Sequence, residues 1–406
     1  MKYNIRRWNP ILISIPDIGI GMMWGSLGNV VAFFGYTFTN SAADIAKIYS
    51  LAAIVGVFTQ VIVGVLSDKT QHKWGKRSPW LVFGMVGAAL SVTLWPLANS
   101  FTMFLIMTGV TCTLVNVAQC AYYTMVMEVV DADQVGYSNT LARTTSTVGG
   151  LCMGGLAGFL WDAQHPEMTF FAMAALMALS TVLIVPAILK ERPENYTKSE
   201  PYRLSFDFLT NKEVMKLFII TFLFFAARTG TGQMATSLFV KNYHFSEHVV
   251  GRFAVFESSA SLLFGFTAFK LIDVFNRKHI FAFSAIGLCL ANVYLVFFLH
   301  EGASPWILYA WTLACGLFFI GGNICMYTVL SMVVPKSKLG EYMGLLNLFI
   351  ALPQFIFSNV YGHIIDAGHA TWVLPTVISC YSIAFLFTLT MKLKGPKELA
   401  LEIKHD

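Results

Sequence analysis

The stretch Gly64–Pro79, GVLSDKTQHKWGKRSP, decides how this chain is read. An apolar run ends at Asp68, a short polar turn follows, and Gly75, Lys76 and Arg77 stand just before Ser78-Pro79 and a second apolar run. A compact turn with one acid and two bases between packed helices is a device for locking them together and letting them go. Outward from this turn lie twelve long apolar stretches joined by short loops. The chain therefore reads as a polytopic membrane protein, with Asp68, Lys76 and Arg77 as gating residues. The plainer alternative is a topology signal with no moving part.

Composition excludes most other classes. The 406 residues are 56% hydrophobic and only 12% charged, where soluble domains carry about a quarter charged. The net charge of +5 does not point to nucleic acid, because the bases sit at helix ends without a patch of interleaved aromatics. All seven cysteines fall inside apolar stretches without CxxC spacing, so neither a disulfide framework nor a metal site is expected. No cofactor is expected either.

A hydrocarbon core of about 30 Å takes about 20 apolar residues per helix. Cutting at charged, Pro or Gly clusters gives spans at 11–36, 44–67, 78–97, 101–127, 137–160, 168–189, 213–238, 248–272, 279–299, 304–334, 340–365 and 371–392. The longest loop splits them six and six. The expected division is a six-helix bundle at 1–190, a cytoplasmic linker at 191–212, a second bundle at 213–393 and a cytoplasmic tail at 394–406. Placing both termini in the cytoplasm puts 22 of the 27 Lys and Arg on the inner side, as retention of basic loops requires. Lys2, Arg6 and Arg7 before an apolar run imitate a signal peptide, but that run is long and contains Asp17, so it reads as the first retained helix.

The equivalent junction of the second half repeats the acid-then-basic order at Asp273, Asn276, Arg277 and Lys278, with Asn276 where Gly would be expected. Two six-helix halves related in this way suggest the major facilitator architecture, with a site between them near the midplane. The expected fold class is an all-α membrane protein of 12 transmembrane helices in two six-helix half-domains.

The longer junction motif, with Asp68 and Gly75 seven apart and Ser78-Pro79 following, resembles two families of that superfamily. They are the glycoside–pentoside–hexuronide:cation symporters and the sucrose:proton symporters. The eleventh span, GEYMGLLNLFIALPQFIFSNVYGHIID at 340–366, is similar to the sucrose-carrier pattern at Gly344, Asn347, Pro353, Gln354, Ser358, Gly362 and Asp366. Asn116, Gln119 and Glu128 of the fourth span stand where those carriers have Asn, Gln and an essential Asp; Asn139 and Gly149 of the fifth fit too. There are departures. Ala121 and Tyr123 replace the carriers' Pro and Arg, and the acid is Glu128. The second span, AAIVGVFTQVIVG, lacks the paired aspartates of the sodium-coupled melibiose type, so the resemblance implies a proton as coupling ion.

An ionisable side chain inside a span costs about 2.5–3.5 kcal/mol at the helix centre and needs a reason to be there. Asp17, Arg143, Arg228 and Glu257 lie within spans, and Glu128 at the cytoplasmic end of the fourth. Arg228 and Glu257 each lie about 15 residues in from a cytoplasmic helix end, at an equal depth of about 22 Å, which permits an ion pair. That pair is either a coupling element or a permanent structural contact. Asp17 and Arg143 enter from the same side to about 9–11 Å, where they pair with each other, or Arg143 pairs with Glu128, or all three form an interfacial cluster. The proton-coupling candidates are Asp17, Glu128, Arg143 and Glu257.

Sugar hydroxyls require side chains that both donate and accept, and the apolar face of a pyranose suits an aromatic ring. The substrate-binding candidates are Trp24, Asn116, Gln119, Tyr123, Asn347, Gln354 and Arg228. Asn116, Gln119 and Tyr123 fall on one helix face, as do Asn347 and Gln354; the alternative for each is a helix–helix contact.

The resemblance implies a secondary active transporter that takes up a glycoside, a disaccharide such as sucrose or maltose, with a proton by alternating access. Two alternatives stay open: the same fold carrying an anionic substrate (a hexuronide, organic acid or phosphorylated compound), or a non-transporting membrane solute sensor. No nucleophile–base or metal-spaced constellation points to an enzyme. The expected setting is a monomer in the cell membrane, with lipid and a small-molecule sugar as its partners.

Overall fold

The computed structural model describes residues 9–129, 135–182, 209–274, 276–334 and 339–393, less the side chains of 9–10, 127–129, 135–137, 139–140, 265–274, 331 and 339–341. Both termini, most of the 191–212 linker, and the side chains of Glu128, Asn139 and Asp273 lie outside the described residues.

Every described element is helical. Twelve rods follow one another: α1 (Ile11–Gly35), α2 (Ala42–Asp68), α3 (Ser78–Leu97), α4 (Phe101–Val129), α5 (Val135–Gly155), α6 (Pro166–Val182), α7 (Lys212–Asn242), α8 (Phe253–Val274), α9 (Arg277–Phe298), α10 (Pro305–Val333), α11 (Leu339–Asp366) and α12 (Ala370–Thr390). Nine of them are long and apolar enough to cross a membrane among the described residues, and α6 is a shorter apolar helix. Their outer faces carry large exposed apolar side chains such as Phe58, Phe83, Leu97, Leu263, Phe297 and Trp306. A protein in water hides such groups; hydrocarbon is the solvent that accepts them.

Local chemistry starts the rods where the sequence changes character. Ser41 caps α2 by accepting from the Asp44 amide, Asn211 caps α7 through the amides of Glu213 and Val214, and Asn276 caps α9 through that of Lys278. Pro79 and Pro305 sit in first turns, where a missing N–H removes no ladder bond.

The chain forms two compact units, Met1–Glu200 with Ser246–Val255, and Pro201–Phe245 with Phe256–Asp406. In the first, α1 and α5 touch backbone to backbone. A Cβ at Gly21 would collide with the Ser146 carbonyl, and one at Gly149 with the Ile18 carbonyl. The same unit is closed at one end by aromatic packing of Phe34, Trp95, Phe104, Trp161 and Phe170. In the second, Phe224 packs against Phe281, Phe319 and Tyr381. Its rod α7 widens into π turns at Thr229–Gln233 and Thr236–Asn242, so it runs on past the 238 expected from apolarity alone. Single π turns inside α-helices recur at functional sites.

Candidate functional site

Asp17 owes its setting to the residue before it. Pro16 has no N–H, so the α1 ladder shifts: Ile15 N bonds Leu12 O at 3.2 Å and Ile18 N bonds Ile15 O at 3.0 Å. The Ser14 carbonyl, freed from the helix, accepts from the Thr145 hydroxyl of α5 at 2.6 Å and the Tyr122 hydroxyl of α4 at 3.3 Å. The three helices are thus tied together one turn from Asp17, whose side chain is wholly buried.

The Tyr123 hydroxyl donates to Asp17 Oδ1 at 3.3 Å and accepts from Arg143 Nη1 at 3.1 Å. The Arg143 guanidinium also lies over the Tyr123 ring, 4.7 Å from its centroid. Asp17 and Arg143 are therefore brought together with Tyr123 as the bridge. Asp17 Oδ2 is buried with no hydrogen-bond partner among the described residues. The Glu128 side chain lies outside them, so the choice of partner for Arg143 is answered only on the Asp17 side.

Two further contacts in this unit join neutral side chains. Trp24 Nε1 donates to Gln119 Oε1 at 2.6 Å. Gln60 Nε2 of α2 donates to Asn116 Oδ1 at 3.2 Å, while Asn116 Nδ2 donates to the Cys112 carbonyl at 2.8 Å. Asn116 is buried with its amide committed to α2 and to its own helix, and Gln119 points to α1. The face shared by Asn116, Gln119 and Tyr123 thus spreads across three neighbours.

In the second unit Arg228 Nη2 meets Glu257 Oε1 at 2.5 Å, with the side chains 24% and 17% exposed. The guanidinium stacks over Phe319 at 5.0 Å. One turn on, Gln233 Nε2 donates to Gln354 Oε1 at 2.6 Å, and Gln354 Nε2 donates to the Ile350 carbonyl at 3.0 Å. The carbonyl of Ile350 fixes which way the Gln354 amide points, and through it that of Gln233. Asn347 is exposed, and no hydrogen bond reaches its amide among the described residues.

The junction turn forms a compact ion cluster. Asp68 Oδ1 meets Arg77 Nη2 at 2.6 Å and Lys76 Nζ at 3.1 Å, and Arg77 Nη1 donates to the Ser67 hydroxyl. Both bases are nearly buried. Gly75 makes this possible with φ +107°, a conformation in which a side chain would be strained. At the second junction, Asn276 Nδ2 donates to the Leu393 carbonyl and Arg277 Nη1 to Met332 Sδ.

Gln60, the partner of Asn116, was not among the sequence candidates, whereas Gln233, an amide the sequence offers in an apolar span, is the partner of Gln354. A lone amide in such a span is a legible signal, but only the fold shows which amides meet. Tyr361 carried no signal; its buried hydroxyl beside Gly230 has no partner among the described residues.

This arrangement of apolar rods around sparse polar groups is matched in proteins already known. The xylose transporter XylE from E. coli, in an inward open conformation, is 15% identical with a TM-score of 0.72 over 97% of this chain and 98% of its own. A POT family transporter in complex with 5-aminolevulinic acid is 12% identical, with a TM-score of 0.75 over 94% and 95%. At these identities the likeness is one of fold: the major facilitator fold of twelve transmembrane helices. An uncharacterized symporter of Synechocystis sp. is 31% identical over 70 residues, a match spanning 16% of this chain and only 13% of that relative. Residues 12–339 match the family described as MFS/sugar transport protein, a family of membrane transporters and not of enzymes, and the chain, a multi-pass membrane protein, belongs to it.

Proposed function

We propose that this protein is a secondary active transporter that takes up a neutral glycoside, a disaccharide such as sucrose or maltose, together with a proton by alternating access. The observation that carries the reading is a fully buried carboxyl, Asp17, held inside a span and joined to Arg143 through a tyrosine hydroxyl. A charge so placed is expensive in lipid and earns retention by function. Each unit matches one acid with one guanidinium, Asp17 with Arg143 and Glu257 with Arg228. That balance favours an uncharged substrate over an acidic sugar. The amides and the indole, Trp24, Gln119, Gln233 and Gln354, are of the kind that exchange hydrogen bonds with sugar hydroxyls.

A proton is the proposed coupling ion. Hard cations such as sodium take oxygen donors, carboxylates foremost. The amide contact joining α2 and α4, Gln60 with Asn116, contributes no carboxylate. Asp17, Glu128 and Glu257 are the acids available to carry the proton. We place the protein in the cell membrane as a monomer with both termini cytoplasmic, in keeping with its basic inner loops.

The test is uptake into proteoliposomes of sucrose and maltose under an imposed pH gradient. Accumulation of either, abolished by dissipating the gradient, is expected. Uptake inhibited by glucuronides and untouched by neutral glycosides would overturn the choice of substrate.

A further inference from the structure

The two oxygens of Asp17 are unequal. Oδ1 accepts from Tyr123; Oδ2 is enclosed with no hydrogen-bond partner among the described residues. A buried ionised carboxylate with an orphan oxygen is costly, and the simplest relief is a proton on the group. Among the described residues, the packing around Asp17 shows one polar approach. Towards it, α4 directs Tyr122 and Tyr123, with Tyr122 already committed to the Ser14 carbonyl, and α5 supplies Arg143. The α6 end that packs near Asp17, where Ser180 lies against Gly19, has no titratable side chain; the acid of that helix, Glu167, is in its first turn at the opposite end. Asp17 is closed off, Arg143 is exposed, and the Tyr123 hydroxyl touches both.

We propose that Tyr123 is the proton conduit to Asp17. In the loading step the Tyr123 Oη–H bond breaks and its proton forms an O–H bond with Asp17 Oδ1. The Tyr123 oxygen takes a proton from a hydronium ion on the Arg143 side, which leaves as water. The net change is one proton gained by the carboxyl, with the tyrosine unchanged. Arg143, donating to the same oxygen, opposes any lasting positive charge on it and stabilises negative charge that builds there if the first transfer runs ahead. Unloading runs in reverse. Asp17 thereby carries the coupling proton, whereas Glu257, in direct contact with Arg228, remains its counter-ion.

The inference rests on the proton-coupled reading for its use in transport, but its test needs no substrate. The protonated-carboxyl C=O stretch is followed by infrared spectroscopy after a pH jump in the reconstituted full-length protein. Tyr123→Phe should retain the final amplitude and slow its rise about a hundredfold, the scale of a positioned proton-transfer group. Asp17→Asn should remove the band, and Glu257→Gln should leave it. A band that survives Asp17→Asn, or one that rises at the native rate in Tyr123→Phe, overturns the proposal. Should Tyr123→Phe not fold, the native protein decides: the rise must be slower in D2O than in H2O, and an equal rate sinks the conduit. Absence of glycoside uptake beside an intact Asp17 band would count against the transport reading alone.

Discussion

Both units hold a carboxyl and a guanidinium within apolar helices, but they connect them differently. In the second unit Glu257 and Arg228 touch at 2.5 Å, with Phe319 beneath the guanidinium. In the first, a hydroxyl stands between acid and base, and one acid oxygen has no partner among the described residues. Direct contact holds both charges in place, since removing either strands the other. A bridge through a neutral hydroxyl lets the acid change its charge while the guanidinium keeps a partner. The same pair of residue types can therefore fix one bundle and be switched in the other.

The sharpest way to break this comparison is to neutralise the two acids separately. Asp17→Asn should collapse pH-driven sugar accumulation to the equilibrium ratio while counterflow exchange persists. Glu257→Gln should leave a measurable gradient-driven component. Accumulation lost equally in both variants would erase the distinction.

Next in size is the stability of the second pair. Arg228→Ala alone should destabilise the detergent-solubilised protein by about 2–3 kcal/mol, short of the fully buried range because both side chains keep some exposure. Adding Glu257→Gln should restore part of that loss in thermal unfolding. A double variant no more stable than the single one would show that the contact is not a coupled pair.

The first unit's close helix contact offers a test of similar kind. Gly149→Ala sets a methyl against the Ile18 carbonyl and should cost about 1–3 kcal/mol, read as a lower unfolding temperature. Gly155→Ala on the same helix meets open space and serves as the control. The smallest effect is expected at the neutral amides. Gln60→Leu removes one hydrogen bond to Asn116 and should destabilise by about 1 kcal/mol, with proton coupling intact.

Much was legible in the residues themselves. Length and apolarity located the rods, because lipid leaves a backbone no partner but its own helix. The equal depth of Arg228 and Glu257 permitted their contact, since α7 starts and α8 ends at the same face and both rise at a fixed pitch. Gly75 marked the turn that lets Lys76 and Arg77 reach Asp68. Other features were illegible for a physical reason. Asn116 and Gln119 lie three apart on one helix, yet their partners are on α2 and α1, and helical spacing says nothing about which neighbour stands opposite.

By itself, the sequence determined that this is a twelve-span membrane protein with rare internal charges, because hydrophobic run length and charge placement are properties of the chain alone. Only the tertiary structure decided that Tyr123 separates Asp17 from Arg143, that Asp17 Oδ2 has no partner among the described residues, and that Gln233 meets Gln354. Each of these depends on the azimuth and register of packed helices, where a shift of one residue turns a side chain by about 100°.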